Sequence, residues 1–123
     1  MRFKPGTSRI TLVAGIGHNL RQRFIIDTGA SLVTVPAATA RRLGLDLSLG
    51  RRRRFYSATG VRDAIEVTLP QIEIDGWVVE EVQALVVDLP GHPGVGLLGM
   101  NFLRHFQVDV DSRRGFLRLT PRG

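Results

Sequence analysis

Apolar residues in the first third of the chain come in short runs broken by Gly and Asn. Arg9–Gly15 and Leu20–Asp27 read as two strands, joined by a tight Ile-Gly-His-Asn connection in which Gly17 and Asn19 tolerate positive φ. The β-branched run Ser31–Val35 reads as a third, short strand. At Pro36 the pattern changes. Pro suits a first helical turn, Ala37, Ala38 and Ala40 favour helix, and Gly44 fits a C-terminal cap, so one helix is expected over Pro36–Leu43.

From Arg51 the period becomes two. Ile65, Val67 and Leu69 share one face and Glu66 and Thr68 the other, the mark of a half-buried strand. Asp75-Gly76 is a strong type I′ hairpin signal into Trp77–Val87. Pro70 marks a bend or an edge position. A second turn, with Gly60 near its tip, joins two extended arms. Leu89–Gly96 is a loop, Leu98, Phe102 and His105 have helical spacing, and Phe106–Val110 and Phe116–Leu119 form a closing hairpin. The sum is an all-β, mostly antiparallel chain with one or two short helices, a sandwich or small barrel. No repeat or linker interrupts it, so residues 1–123 are expected to form a single domain.

Composition narrows the classes. With 43% apolar residues the chain can build one core, and no stretch nears the roughly 20 apolar residues that span a bilayer. The first ten residues are basic but have no apolar run behind them, unlike a secretory signal. The default location is then cytoplasmic, unless the chain is a domain of an anchored protein. Without Cys there are no disulfides or thiolate metal sites, and His18, His92 and His105 lack ligand spacing, so no metal and no cofactor are expected.

The net charge is +6, and sixteen of the seventeen basic residues are Arg. Solubility explains this most simply; nucleic acid, an anionic membrane or acidic substrates are sharper readings. Arg51–Arg54 reads as a solvated edge that resists strand-to-strand aggregation. Selection of acidic peptides is the next reading. Nucleic acid is not expected, for want of aromatic interleaving. Tyr56 either leans over a substrate or packs, Trp77 packs or meets a partner, and Phe102, Leu103 and Phe106 read as core.

One residue asks for chemistry. Asp27 ends the apolar strand Phe24-Ile25-Ile26 and precedes Thr28-Gly29. A carboxylate there needs partners, because burying it alone is costly. Asp-Thr-Gly is also an ordinary turn sequence, in which Asp caps its own backbone and Gly admits positive φ. The small residues Ala30 and Ser31 that follow would let an extended ligand backbone approach. Roughly seventy residues later comes Gly96-Leu97-Leu98-Gly99-Met100.

The ordered set "FIIDTGAS", "YSATGVRDA" and "GLLGMNFL" resembles the retroviral-type, or retropepsin-like, aspartic proteases over about Arg9–Leu119. The resemblance implies a closed antiparallel β barrel of the acid-protease type and hydrolysis of peptide bonds by two carboxylates sharing one proton. Like charges about 3 Å apart cannot both ionise cheaply, so one acts as base on a water while the other donates to the scissile carbonyl. With one Asp-Thr-Gly in a short chain, the resemblance implies a homodimer in which Asp27 faces its copy.

It further implies that Thr28 bonds across the dimer axis and that Gly29 presents its carbonyl to substrate. Ala30 and Ser31 would line the nearest subsite. Ala58, Thr59 and Gly60 would form a flap over an extended polypeptide, and Leu97, Leu98 and Gly99 would support the loop. Ser31 and Met100 stand where viral members often carry an acid and an Arg, which fits cellular and bacterial relatives better. Three alternatives stay open: a non-catalytic module of this fold that binds peptide or dimerises, a basic nucleic-acid domain, and a pairing of Asp27 with a different chain.

Overall fold

In the structure, a computed structural model, residues 9–57 and 60–122 are described. Among the described residues, nine strands and two short helices are arranged around one main core. The strands are β1 (Thr11–Ile16), β2 (Leu20–Ile26), β3 (Val33–Val35), β4 (Arg51–Ser57), β5 (Gly60–Ile74), β6 (Trp77–Val86), β7 (Val95–Leu98), β8 (Phe106–Asp111) and β9 (Phe116–Pro121). The helices are α1 (Ala37–Arg42) and α2 (Met100–Leu103), with a 3₁₀ turn at Leu47–Leu49. Among the described residues no helix is long and apolar enough to cross a membrane.

The order β1-β2-β7-β3-β6-β5 closes on itself through β1–β5, giving a six-stranded barrel; β4 extends β5 as an outer edge, and β8 and β9 pair apart. A closed barrel is as expected from the sequence, but it is mixed rather than wholly antiparallel: two of its seams, β2–β7 and β3–β6, are parallel. These seams join segments far apart along the chain, such as Arg23 with Val95.

The local elements follow from their residues. Pro36 precedes the first turn of α1 in extended conformation, and Gly44 takes φ 74° after its end. Asp75 and Gly76 sit at φ 56° and 85° between the paired Ile74 and Trp77, the type I′ geometry that matches the twist of the strands. Gly17, at φ 63°, turns the first hairpin. The helical spacing around Leu98 is realised only over Met100–Leu103; Leu98 itself belongs to β7.

Pro70 lies inside β5 rather than ending it. Before it, up to Glu66, β5 pairs with β4; after it, at Ile72 and Glu73, β5 pairs with β1. A residue without an N–H thus sits where the strand exchanges one neighbour for another. Opposite it Glu81 takes φ 53°.

Leu12, Ile16, Phe24, Leu69, Ile72, Leu98 and Phe102 fill the barrel, and α2 and β8 close one side with the Phe102 and Phe106 rings 5.2 Å apart. A second small cluster, Ala64, Leu85 and Val87 with Leu32, Phe55 and Leu89, includes Phe55 of β4. Arg51–Arg54 form most of the outer edge strand and all four are exposed.

Candidate active site

The end of β2 is fixed before Asp27 begins. Phe24 is fully buried, and β2 runs parallel to β7 with Ile26 opposite Leu98. The Asp27 amide then donates to the Leu98 carbonyl at 3.2 Å, the last rung of that ladder. A tight turn follows. The Ala30 amide donates to the Asp27 carbonyl at 3.1 Å, and the Gly29 amide donates to Asp27 Oδ1 at 2.9 Å. The turn therefore holds the half-buried carboxylate by its own backbone, the Asx geometry open to an Asp-Thr-Gly sequence.

The loop is anchored from α2. Its first two amides, of Met100 and Asn101, donate to the carbonyls of Ala30 and Ser31 at 2.8 and 3.1 Å. The orphan donors of a helix start are thereby satisfied by loop carbonyls. A Cβ added to Gly99 would fall 2.5 Å from the Leu32 carbonyl oxygen and 3.0 Å from that of Ala30. Its φ of −90° suits any residue; space alone demands Gly here.

Of the residues singled out in the sequence, Asp27, Gly29, Ala30, Ser31 and Leu97 line one open cleft of about 680 Å³. Thr28 and Ser31 are exposed and Ala30 is half-buried. Leu98 is buried behind the loop, and Gly99 lies against it. Gly60 pairs with Ser57 at the end of the β4–β5 hairpin; Ala58 and Thr59 lie outside the described residues. Arg53, Arg54 and Phe55 of β4 and Leu85 of β6 line the same cleft. Arg9 and His92 also line it, joined at 2.6 Å from Nη1 to Nε2. Among the described residues Asp27 is the one acidic side chain in the lining. Among them, too, no three acidic or His side chains cluster as a metal site needs.

Three polar residues that sequence reading passed over hold this arrangement. The Asn101 side chain accepts from the Val33 amide at 2.9 Å and donates to the Gln83 carbonyl at 2.7 Å, tying α2 to β3 and β6. Thr34, 1% exposed, accepts from the Leu97 amide at 2.9 Å. Gln22, 4% exposed, donates to the carbonyls of Arg23 and Gly94 and accepts from the Thr39 hydroxyl. Gln22 had a visible signal: it occupies the inward phase of β2, between Leu20 and Phe24.

Comparison with known proteins agrees with this geometry. The sequence pattern of the aspartyl protease family matches residues 13–102. An uncharacterized protein of Rickettsia prowazekii (strain Madrid E) is 31% identical over 103 residues, covering 76% of this chain and 41% of its own length. The chain thus spans about two-fifths of that curated relative. The crystal structure of a retropepsin-like aspartic protease from Rickettsia conorii superposes with a TM-score of 0.73 at 25% identity, over 91% of this chain and 83% of the other. The retroviral protease-like domain of Ddi1 from Leishmania major shares the fold with a TM-score of 0.64 at 17% identity, over 92% and 89% of the two chains.

Proposed function

This chain belongs to the aspartyl protease family, and we propose that it is an aspartic endopeptidase that works as a homodimer. The observation that carries the proposal is the carboxylate of Asp27, held by its own turn in a cleft that offers no second acid among the described residues. The chemistry requires two. A twofold axis beside the loop would supply the other from an identical chain.

With one proton shared between the two carboxylates, the charged one draws a proton from water as the water attacks the scissile carbonyl. The neutral one donates to that carbonyl oxygen, and the tetrahedral intermediate collapses with proton transfer to the leaving amine. The Gly29 amide bond to Oδ1 fixes the carboxylate's orientation for this exchange. Thr28, exposed on the loop, bonds to the partner loop and keeps the two acids in register. The Gly29 carbonyl, with Ala30 and Ser31, takes an extended peptide much as a sheet edge takes a strand. Ala58, Thr59 and Gly60, the flap residues expected from the sequence, close over the peptide and exclude water.

The test is cleavage of a peptide library by the wild-type chain and by Asp27→Asn. Loss of all hydrolysis in the variant, with an unchanged circular-dichroism spectrum, is the expected result. Cleavage that persists in Asp27→Asn overturns the mechanism.

A further inference from the structure

We propose that the cleft selects peptides bearing an acidic side chain close to the scissile bond, and that Arg53 and Arg54 read that charge. The proposal rests on the endopeptidase reading above and specifies its substrate.

The charge around the cleft is mostly of one sign: among the described residues Arg9, Arg53 and Arg54 line it, against a single acidic side chain, Asp27. In the working dimer the two Asp27 groups would carry one negative charge between them, so the cationic excess persists during turnover. The register of β4 on β5 sets Arg53 opposite Ala64 and Arg54 opposite Asp63, on a ladder that continues to Arg51 and Glu66. Arg53 is therefore held by backbone pairing rather than carried on a loop.

Its side chain is oriented as well. Arg53 Nε lies 3.4 Å from Glu66 Oε1; the Glu66 side chain is 12% exposed and that of Arg53 46%. A sheltered acid thus steadies the inner edge of the guanidinium. A guanidinium has five N–H donors in a planar fork, so its terminal nitrogens remain for a second, bidentate carboxylate. Among the described residues the two ion pairs are Arg53–Glu66 and Arg114–Asp111, and neither engages Arg54.

Beside the cations the lining is apolar, with Leu32, Phe55 and Leu85. The cleft thus suits an apolar side chain together with a carboxylate. An extended peptide alternates its side chains, so both can belong to one short segment. A polynucleotide would track phosphates along a continuous cationic groove and stack successive bases on several aromatic rings; this lining offers one phenyl ring, Phe55, among leucines.

The experiment uses the full chain and peptide pairs that differ only by Glu or Gln, placed in turn at each of the positions flanking a cleaved bond. The expected result is a Glu preference of about tenfold or more in kcat/KM at one or more positions, shrinking as salt rises from about 50 to about 500 mM. The Arg53→Gln/Arg54→Gln double variant brings the Glu-to-Gln ratio close to one, and Arg53→Glu/Arg54→Glu turns the preference toward Lys. Fluorescence anisotropy of the same peptides on Asp27→Asn protein reads the preference without turnover.

Equal handling of Glu and Gln peptides in both assays overturns the inference while leaving an Asp27-dependent peptidase intact. Absence of cleavage, with a Glu preference in binding that depends on the two arginines, overturns the peptidase reading and keeps the selectivity. Single-stranded RNA binding that depends on Arg53 and Arg54, with peptide ratios near one, assigns the arginines to nucleic acid and overturns it too.

Discussion

Asn101 holds Val33: its Oδ1 accepts the Val33 amide at 2.9 Å, joining the first turn of α2 to the strand that leaves the Asp27 loop. The same side chain donates to Gln83, so two strands depend on one amide group. Asn101→Ala leaves the amide of buried Val33 without a partner and is expected to cost about 1–3 kcal/mol. Asn101→Asp keeps the acceptor for Val33 but turns a carboxylate toward the Gln83 carbonyl. Urea denaturation of both variants should find each less stable than wild type. Full stability in Asn101→Ala would mean that water replaces the side chain.

Gly99→Ala should be among the most damaging single-methyl additions in the chain. The new Cβ meets backbone, the Leu32 carbonyl, which cannot swing aside as a side chain can. Overpacking against fixed atoms costs about 1–3 kcal/mol, and the displaced loop carries Asp27 with it. Hydrolysis should therefore fall further than stability. Stability within about 0.5 kcal/mol of wild type would refute the close approach.

Gln22→Leu tests the polar knot inside the barrel wall. It removes the partners of the Gly94 carbonyl and the Thr39 hydroxyl at once. A loss of about 1–3 kcal/mol is expected in thermal or chemical denaturation. The double variant Gln22→Leu/Thr39→Val, which deletes both ends of one bond, should recover part of it. Additive losses would show that the two side chains act independently.

Homodimeric catalysis predicts a concentration law. If the site needs two copies of Asp27, activity per mole should fall on dilution in step with dissociation seen by sedimentation. Mixing in Asp27→Asn chains should inhibit the wild type by forming half-competent dimers. Activity per mole that is constant down to a fully monomeric concentration would sink the pairing.

Asp46 gives a small acid-sensitive contribution. Hydrogen bonds from the Ser48 hydroxyl and then from its amide hold the Asp46 carboxyl below the usual carboxylate range, against a slight opposing effect of burial. A depressed folded-state value stabilises the fold above the ordinary carboxylate pKa, and the contribution fades as pH falls through the lowered one. Asp46→Asn should therefore melt slightly below wild type at neutral pH, with the gap closing in acid. A gap that is constant with pH would remove charge from the explanation.

How far the chain could be read from its sequence depended on the range of each cause. Asp75-Gly76 was legible because two adjacent positive φ angles are a local demand that few residue pairs meet. Alternation marked β5 for the same reason, although Pro70 suggested a bend where the strand in fact changes neighbours. The parallel seams were not legible, since nothing near Arg23 names Val95 as its companion. The position of Asp27 at a strand end was visible, whereas Asn101 was not: one amide side chain in an apolar run has no periodicity, and its partners lie eighteen and sixty-eight residues away. The cationic lining of the cleft was half visible. The arginine run stood out, but that Arg53 and Arg54 share a cleft with Asp27 came only with the fold.

The parallel seam between β2 and β7 also has a consequence for biosynthesis. The turn that orients Asp27 leans on Leu98, Met100 and Asn101, all emerging from the ribosome some seventy residues after it. Until that late segment docks, a nascent polypeptide carries its acid on an unbraced loop. Competence thus waits for the segment beyond Val95 to be made, and a product cut short before it would be inert however much of the earlier hairpin it had built.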